Sequence, residues 1–239
     1  MSLMNILEID NMRFGWPRRH ELCLDIGELH VAVGETVFLY GPSGCGKSTL
    51  LSLMAGVLLP REGSVLLGGK NWSDLRPAQR DRYRVEQVGY IFQQFNLLPY
   101  LSVVDNVMAP CRFSSLRESA AIRQSGSVRA GAQHWLDGMG LDSRLWNTPA
   151  SNLSVGQQQR VAAARALIGN PALVIADEPT SALDENRRND FLDLLLFACR
   201  AANSALVFVS HDQRIAERFE RHILLPTINH AAAHEEAPT

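Results

Sequence analysis

The sequence predicts an α/β fold with a mainly parallel core sheet, an antiparallel β part at the N-terminus and an inserted α-helical subdomain. Apolar runs at 172–177 and 205–210 are separated by a helical pattern, which is typical of a parallel sheet covered by helices. The segment 102–163 has mainly helical pattern, with apolar residues three and four apart. The runs 6–14 and 21–31 alternate or are apolar with β-favouring residues, so they predict two further strands.

The part of the chain before residue 95 predicts mostly strands. The apolar run 36–40 predicts a buried strand that ends at a glycine-rich loop. A helix is expected to follow from Lys47 to about residue 57. The remaining elements of this part are a strand at 64–69, a short polar helix at 76–84 and a strand at 88–92.

The middle of the chain predicts a helical subdomain that begins at a capping box formed by Ser102 and Asp105. The C-terminal part returns to alternation. Its expected elements are a strand at 172–177, a helix at about 186–201, a strand at 205–210, a helix from Gln213 and a last strand near 222–225.

We expect a single domain over residues 4–227. Its core comprises 4–94 and 164–227, and its helical subdomain covers about 95–163. The tail 228–239 lacks any periodicity, and we expect it to be disordered.

Composition describes an ordinary globular protein and excludes several classes. Hydrophobic residues make up 46% of the chain, charged residues 20%, and the net charge is −2, which argues against binding nucleic acid through phosphate neutralisation. The four cysteines are far apart in sequence, so neither a disulfide framework nor a zinc site is expected. The longest apolar run, 50–59, is too short to span a bilayer. We expect a soluble, cytoplasmic chain.

A phosphate-binding loop is the strongest motif. Residues 41–48 match the pattern GxxxxGK[ST] between a buried strand and a helix. Glycines let backbone N–H groups approach phosphate oxygens, and the helix N-terminus adds a positive dipole end. Lys47, one of only two lysines in the chain, supplies a compact charge, and Ser48 offers a hydroxyl to Mg²⁺. The predicted nucleotide-binding residues here are Gly41, Pro42, Ser43, Gly44, Cys45, Gly46, Lys47, Ser48 and Thr49.

A pair of acidic residues supplies the expected partner of this loop. Asp177 ends an apolar run, which places its carboxylate at the C-terminal end of a buried strand, where ligands bind in such sheets. We expect Asp177 to hold Mg²⁺ and Glu178 to act as the general base on the attacking water. An acidic strand end that caps a helix is the structural alternative.

Between these two motifs lies the segment NLSVGQQQRVAAARAL, residues 152–167. It resembles the LSGGQ signature and following helix of the ATP-binding subunits of ATP-binding cassette (ABC) transporters. The resemblance extends from about Leu7 to Leu225, with the motifs in the family's order. Val155 departs from it, because the family usually has glycine there. The helix N-terminus can still present its N–H groups if Val155 keeps a negative φ.

The resemblance implies further site residues. Gln93 matches the glutamine of the Q-loop, which contacts Mg²⁺ and faces the membrane partner, with Gln94 as the alternative. The signature residues, which meet the γ-phosphate of ATP on the opposite subunit, are matched by Ser154, Gly156 and Gln157. Asp184 ends the D-loop at 181–184, and His211 matches the switch histidine that contacts the γ-phosphate.

An aromatic residue that stacks on adenine is also implied by the resemblance. Phe14 lies 33 residues before Lys47, about where the family places this residue, usually a tyrosine. Trp16 is the alternative. The competing interpretation is that Phe14 is a strand aromatic in the core.

By the resemblance, the chain is an Mg²⁺-dependent ATPase that works as a pair, with two ATP molecules between the phosphate loop of one subunit and the signature of the other. We expect a homodimer, with a heterodimer as the alternative, on the cytoplasmic face of the membrane. The pair is expected to be coupled to an integral membrane permease and to bind no nucleic acid. Apart from Mg²⁺-ATP, no stable metal site is expected. The apolar segment 96–101 is predicted to line the docking groove, with subdomain core as its alternative.

Residues 92–107 resemble the subgroup that serves lipoprotein release and macrolide-type export. Three alternatives stay open at this point: an importer ATPase for amino acids or similar solutes, a soluble ABC ATPase that acts on DNA or ribosomes, and a nucleotide-binding module without turnover. The presence of Glu178 and His211 disfavours the last of these.

Overall fold

The computed structural model describes residues 4–17, 21–181 and 183–231. Two sheets and a layer of helices make up the fold. The strands are β1 (Asn5–Phe14), β2 (Leu24–Ala32), β3 (Thr36–Tyr40), β4 (Glu62–Leu67), β5 (Lys70–Asn71), β6 (Val88–Ile91), β7 (Leu173–Asp177), β8 (Ala205–Val209) and β9 (Arg221–Leu224). The α-helices are α1 (Lys47–Met54), α2 (Pro77–Gln87), α3 (Val103–Phe113), α4 (Ser115–Ser125), α5 (Val128–Gly138), α6 (Val155–Leu167), α7 (Glu185–Ala202) and α8 (Leu225–Ile228).

The two sheets differ in the relative direction of their neighbouring strands. The N-terminal sheet has the order β2-β1-β4-β5 and is antiparallel, whereas the core sheet has the order β6-β7-β8-β3-β9 and its neighbouring strands run parallel. The predicted fold class is therefore confirmed.

The parallel register brings the functional segments to one edge of the core sheet. Leu39 of β3 and Asp177 of β7 both pair with Val209 at the end of β8. The loops that follow these three strands carry the predicted phosphate loop, Glu178 and His211, respectively. Ligands bind beyond the carboxyl ends of strands in such sheets, so the topology gathers the predicted site.

Alternate residues of the core strands face two separate apolar layers. Phe38 and Phe208 pack into the layer formed with α3 to α7, whereas Val37 and Val207 pack into the layer formed with α1 and the antiparallel sheet. This division follows the two-residue period of a strand. Because β3 and β8 are buried on both faces, they read as continuous apolar runs in the sequence.

The helices α3 to α6 occupy residues 103–167, where helices were predicted. Each begins at a serine whose hydroxyl accepts a main-chain N–H in the first turn: Ser102, Ser114, Ser127 and Ser154. The predicted capping role of Ser102 is confirmed. The exact division into a core and a helical subdomain stays a prediction.

A buried arginine links α4 to the core through hydrogen bonds. Arg117 is 1% exposed, and its guanidinium donates to the carbonyl oxygens of Val88, Ala166 and Ile168 at 2.7–3.2 Å. Burial lowers the pKa of Arg117 to about 10. Two of these carbonyls belong to the C-terminal end of α6, where the negative end of the helix dipole favours a cation. The contact joins the first strand residue of β6 to both helices.

Three predicted elements differ from those observed. Helix α1 ends at Met54 rather than near residue 57, because Gly56 takes a left-handed conformation (φ 65°) beneath the ring of Trp72. The helix predicted from Gln213 is a 3₁₀ helix, Gln213–Arg218. In the predicted disordered tail, the Asn229 amide bonds to main-chain groups of Cys23 and Asp25. Residues 232–239 lie outside the described residues.

Among the described residues, no helix combines the length and apolar character needed to cross a bilayer.

Candidate functional site

A cleft of about 570 Å³ lies at the carboxyl edge of the core sheet. It is bounded by the phosphate loop, the end of β7, the segment after β6 and the segment that leads into β2. The predicted site residues that line it are Ser43, Gly44, Gly46, Lys47, Ser48, Thr49, Gln93, Asp177 and Glu178. The structure therefore brings together the nucleotide-binding, metal-binding and general-base candidates, although their roles stay predictions.

The lysine of the phosphate loop donates hydrogen bonds to the start of the same loop. Nζ of Lys47 donates to the carbonyl oxygens of Gly41 and Pro42, both at 2.9 Å. Gly46 has φ 100°, and a side chain there would come within 2.8 Å of Leu24. A larger residue at this position is thus excluded by both backbone and packing. Helix α1 begins at Lys47, so its first N–H groups point toward the loop.

Ser48 and Asp177 both line the cleft. Burial, and secondarily the nearby Glu178, raises the pKa of Asp177, and the side chains of Ser48 and Lys47 oppose the shift. A hydroxyl beside an electrostatically disfavoured carboxylate is a donor set that suits a hard divalent cation such as Mg²⁺. The residues present therefore fit the predicted metal.

Replacing Asp177 with asparagine is expected to stabilise the nucleotide-free protein and to weaken Mg²⁺-dependent ATP binding. Folding raises the pKa of the Asp177 carboxyl, so the protein loses stability as pH rises from the ordinary pKa of a carboxyl through the raised one, and the penalty is complete above the raised pKa. Asparagine removes the charge and the penalty. Calorimetry should show a higher Tm without ligand and a roughly 10- to 100-fold smaller effect of Mg²⁺ on ATP affinity. A lower Tm together with an unchanged Mg²⁺ effect would contradict this role.

Glu178 has an unusual backbone conformation. Its φ is 45°, which lies in the left-handed region that residues other than glycine adopt rarely. The conformation is held by its N–H, which donates to Val209 at 3.0 Å, and by its carbonyl, which accepts from the N–H of Ser181. Such strain costs about 1–3 kcal/mol and concentrates at functional sites. This backbone conformation places the Glu178 carboxylate in the cleft and near the end of β8.

His211 lies beside Glu178. Its Nδ1 is 3.4 Å from Oε2 of Glu178, although the two residues are 33 positions apart in the sequence. The neighbouring Asp212 is fixed by ion pairs with Arg188 of α7 and with Arg214. The predicted switch histidine and the predicted general base therefore form one unit, positioned by a helix that the sequence did not assign to the site.

The signature residues form a capped helix start outside the cleft. The Ser154 hydroxyl accepts from the N–H of Gln157, and Oε1 of Gln157 accepts from the N–H of Ser154. Val155 is the first residue of α6 and is 48% exposed. Val155 does not have a positive φ, so a valine in place of glycine leaves the start of the helix intact.

Within the part of the chain that the structure describes, no close contact explains a glycine at position 156. A side-chain carbon there would meet Leu183 at an ordinary 3.9 Å and no other described residue within 4 Å. Glycine inside a helix costs roughly 0.5–1 kcal/mol relative to alanine. A surface glycine under no internal constraint is what the close approach of another molecule requires.

Asp184 caps the helix that follows the predicted D-loop. Its carboxylate accepts from the N–H of Arg187 at 3.0 Å and forms an ion pair with the same side chain. It does not line the cleft. Within one chain Asp184 is therefore a helix cap, and its predicted part in the nucleotide site stays a prediction.

Exposure distinguishes the two candidates for the adenine-stacking residue. Phe14 is 5% exposed and packs in the core beneath Trp16, with the two ring centroids 5.3 Å apart and an interplanar angle of 84°. Trp16 is 42% exposed and lines the cleft. Phe14 is thus the strand aromatic of the competing interpretation, since it is already covered on its faces by protein.

Three lining residues escaped the sequence prediction: Glu21, Leu22 and Cys23. They precede β2, in a segment with no motif of its own. The Cys23 thiol lies 3.8 Å from the hydroxyl of Thr49, so the segment covers the start of α1. Only the pairing of β1 with β2, which returns the chain to the loop, could have indicated them.

Comparison with known proteins agrees with this geometry. Residues 24–181 match the family model described as "ABC transporter". A lipoprotein-releasing system ATP-binding protein, LolD, of Legionella pneumophila (strain Lens) is 40% identical over 198 residues, which cover 83% of this chain and 84% of the relative. LolD of Xanthomonas axonopodis pv. citri is 40% identical over 194 residues, covering 81% and 76%.

Solved structures show the same fold. The ATP-binding cassette MJ0796, solved as a dimer in a post-hydrolysis state bound to ADP and Pi, superposes with a TM-score of 0.77 at 33% identity and covers 91% of this chain and 93% of its own. CbiO1 of Clostridium perfringens, part of an ABC transporter complex, has a TM-score of 0.74 at 26% identity, with 87% and 79% covered. The chain belongs to the ABC transporter family and is one of its ATP-hydrolysing cassettes.

Proposed function

We propose that the chain binds Mg²⁺-ATP in the cleft and hydrolyses it as one half of a two-subunit site. The observation that carries this proposal is the separation of the motifs. The phosphate loop, Asp177 and Glu178 share the cleft, whereas Ser154 and Gly156 lie outside it. A second copy of the chain would supply its own signature to the open side of the cleft. The dimeric MJ0796 cassette supports such an arrangement.

Each residue has a distinct part in this proposal. The loop N–H groups and Lys47 bind the phosphates and neutralise their charge. Glu178 accepts a proton from the water that attacks the γ-phosphorus, while the bond from that phosphorus to the β,γ-bridging oxygen breaks. His211 holds the γ-phosphate oxygens beside Glu178. Mg²⁺, held by Ser48, Asp177 and Gln93, supplies further charge neutralisation on the phosphates.

Trp16 is proposed to stack on the adenine. Replacing Trp16 with alanine is expected to weaken ATP binding roughly 5- to 150-fold, since base–aromatic stacking contributes about 1–3 kcal/mol. The matched variant Phe14→Leu should lower Tm, because Phe14 is core, and should leave ATP affinity within about twofold. Isothermal calorimetry on both variants decides between the two aromatics. The reverse pattern would return the role to Phe14.

The membrane-coupled role is proposed from the relatives and from a second surface. The relatives are named for lipoprotein release, and we propose that this chain powers a system of the same type from the cytoplasmic face of the membrane. Its expected partner is an integral membrane permease that the chain contacts peripherally. Direct recognition of the released lipoprotein would lie in that partner.

A mostly apolar groove of about 430 Å³ offers the docking surface. Val57, Tyr90, Phe92 and Phe113 line it, and Phe113 is largely exposed. None of the residues 96–101 is among the lining. We therefore place the proposed docking surface in this groove, between α1, β6 and α3, and not along the segment 96–101 that the sequence suggested. An apolar segment of the permease is the occupant that we propose.

Co-purification tests the proposed role. The Glu178→Gln variant, trapped with ATP and Mg²⁺ in its native membranes, should retain an integral membrane subunit. Adding Phe113→Ser should reduce recovery of that subunit and leave the ATP-bound dimer unchanged. ATPase activity of the purified complex should be stimulated by an acylated peptide and not by free amino acids. Recovery of a dimer without any membrane protein, or with ribosomes or nucleic acid, would contradict the proposal.

A further inference from the structure

The segment after β6 folds into a tight turn that contains Gln93. The N–H of Phe95 donates to the carbonyl oxygen of Phe92 at 2.9 Å, so Gln93 and Gln94 are the two middle residues of the turn. Gln93 is the one that lines the cleft. The placement of its side chain therefore depends on how the far end of the turn is held.

The far end of the turn is strained. Phe95 and Asn96 are consecutive left-handed residues, with φ of 58° and 48°. The N–H of Asn96 bonds to the carbonyl oxygen of Gln94 at 2.6 Å. Single residues other than glycine visit this region occasionally, mostly asparagine, and a bulky residue such as phenylalanine does so rarely. Two in succession persist only if the surrounding structure imposes them.

Arg165 bonds to both of these residues. Its Nη2 donates to the carbonyl oxygen of Phe95 and its Nη1 to that of Asn96, both at 2.6 Å. The guanidinium is planar, and its two parallel donors match two neighbouring carbonyl groups in a way that an ammonium does not. Burial lowers the pKa of Arg165, so the guanidinium is partly removed from water, and hydrogen bonds are stronger where less water competes for them.

The same helix carries the signature. Helix α6 begins at Val155, directly after Ser154, and Arg165 lies ten residues further along it. At 1.5 Å per residue, the two ends are separated by about 15 Å of continuous helix. Arg160 and Gln159 of this helix also bond to other elements, at Met139 and Pro179. Because the helix is continuous from Val155 to Leu167, we expect a displacement of the signature to move Arg165 and, with it, the Gln93 turn.

We propose that Arg165 is a positioning residue that sets Gln93 in the cleft from the signature helix. It makes the nucleotide held by the signature at one site control the glutamine of the other site. This inference rests on the proposed two-subunit ATPase. The ATPase activities of the unmodified chain and of Gln93→Ala are therefore measured first. No ATPase activity in the unmodified chain would refute the proposed function. An unimpaired Gln93→Ala would refute the role of Gln93.

The test is the steady-state ATPase of the full chain. Arg165→Lys keeps the charge and loses the paired donors, and we expect kcat to fall about tenfold with KM for ATP within about twofold. Combined with Gln93→Ala, the Arg165→Lys change should cause no further loss, because both act through one group. Arg160→Met, on the same helix but away from the turn, should have an effect that multiplies with that of Gln93→Ala.

A glycine variant separates positioning from mere stability. Asn96→Gly relieves the left-handed strain, so in an Arg165→Met background it should raise Tm without restoring kcat. Three results would overturn the proposal: kcat of Arg165→Lys within twofold of the unmodified chain, multiplicative losses in the Gln93→Ala Arg165→Lys double variant, or recovery of kcat by Asn96→Gly.

Discussion

The Glu178→Gln variant is expected to bind ATP normally and to hydrolyse it at least about 100-fold more slowly, within the range of 10²–10⁴ that general-base catalysis contributes. Glutamine has the shape of glutamate and keeps the side-chain oxygen that faces His211, yet it cannot accept a proton from water. The strained backbone at φ 45° is held by main-chain hydrogen bonds, which the substitution leaves in place. The loss should therefore fall on kcat.

Glu185→Gln is the matched control for that experiment. Glu185 begins α7 and is largely exposed, so the same change of charge outside the cleft should leave kcat within about twofold. Phosphate release measured on both variants, with ATP binding followed by calorimetry, separates turnover from affinity. Hydrolysis at the normal rate by Glu178→Gln would refute the general-base role.

The Lys47→Ala variant is expected to fold and to bind ATP roughly 10- to 100-fold more weakly. A hydrogen bond to a charged group contributes about 1.5–3 kcal/mol, and Lys47 is the cation of the phosphate loop. Its removal also frees the carbonyl oxygens of Gly41 and Pro42, which now accept from its ammonium. Because these carbonyls sit beside the cleft, water can solvate them, so the cost to folding should be small.

The chain provides its own control for Lys47. Lys70, the second of its two lysines, lies over the ring of Tyr83 at 4.5 Å and outside the cleft. Lys70→Ala removes the same charge and should leave ATP affinity unchanged. Equal affinities of Lys47→Ala and the unmodified protein, with identical circular dichroism, would rule out the phosphate-loop assignment.

The sequence predicted correctly the local structure around the motifs, because that structure depends on neighbouring residues. The phosphate loop needs only a buried strand, glycines, a lysine and a helix start in succession, and all of these occur within residues 36–54. Asp177 follows the same logic, because an apolar strand that ends in a carboxylate places it at the sheet edge. Their meeting in one cleft then follows from the parallel strand order.

The aromatic beside the cleft could not be chosen in this way. Phe14 and Trp16 are two residues apart, and spacing from Lys47 favours the first. Phe14 is the last residue of β1, and its main chain is still paired with that of Leu24 in β2. Trp16 follows the strand and is free of this constraint. The difference in burial between these two aromatic side chains depends on tertiary packing, which no local sequence pattern records.

The docking surface proposed here also differs from the one that the sequence suggested. Residues 96–101 are apolar and irregular, which suggested a surface for a partner. The groove is instead built from Val57, Phe92 and Phe113, which lie far apart in sequence. Surfaces assembled from distant elements require the three-dimensional arrangement. The same holds for Arg165, whose two carbonyl acceptors lie about seventy positions earlier.

The central claim, that two chains complete one ATP site, is tested most directly by the mass of Glu178→Gln in solution. Light scattering with ATP and Mg²⁺ should give twice the chain mass of 26.5 kDa, and with ADP the mass of one chain. Adding Gly156→Glu should abolish the dimer, because the new charge would face the partner's ATP. A single-chain mass for Glu178→Gln at saturating ATP, or a dimer unaffected by Gly156→Glu, would contradict the claim.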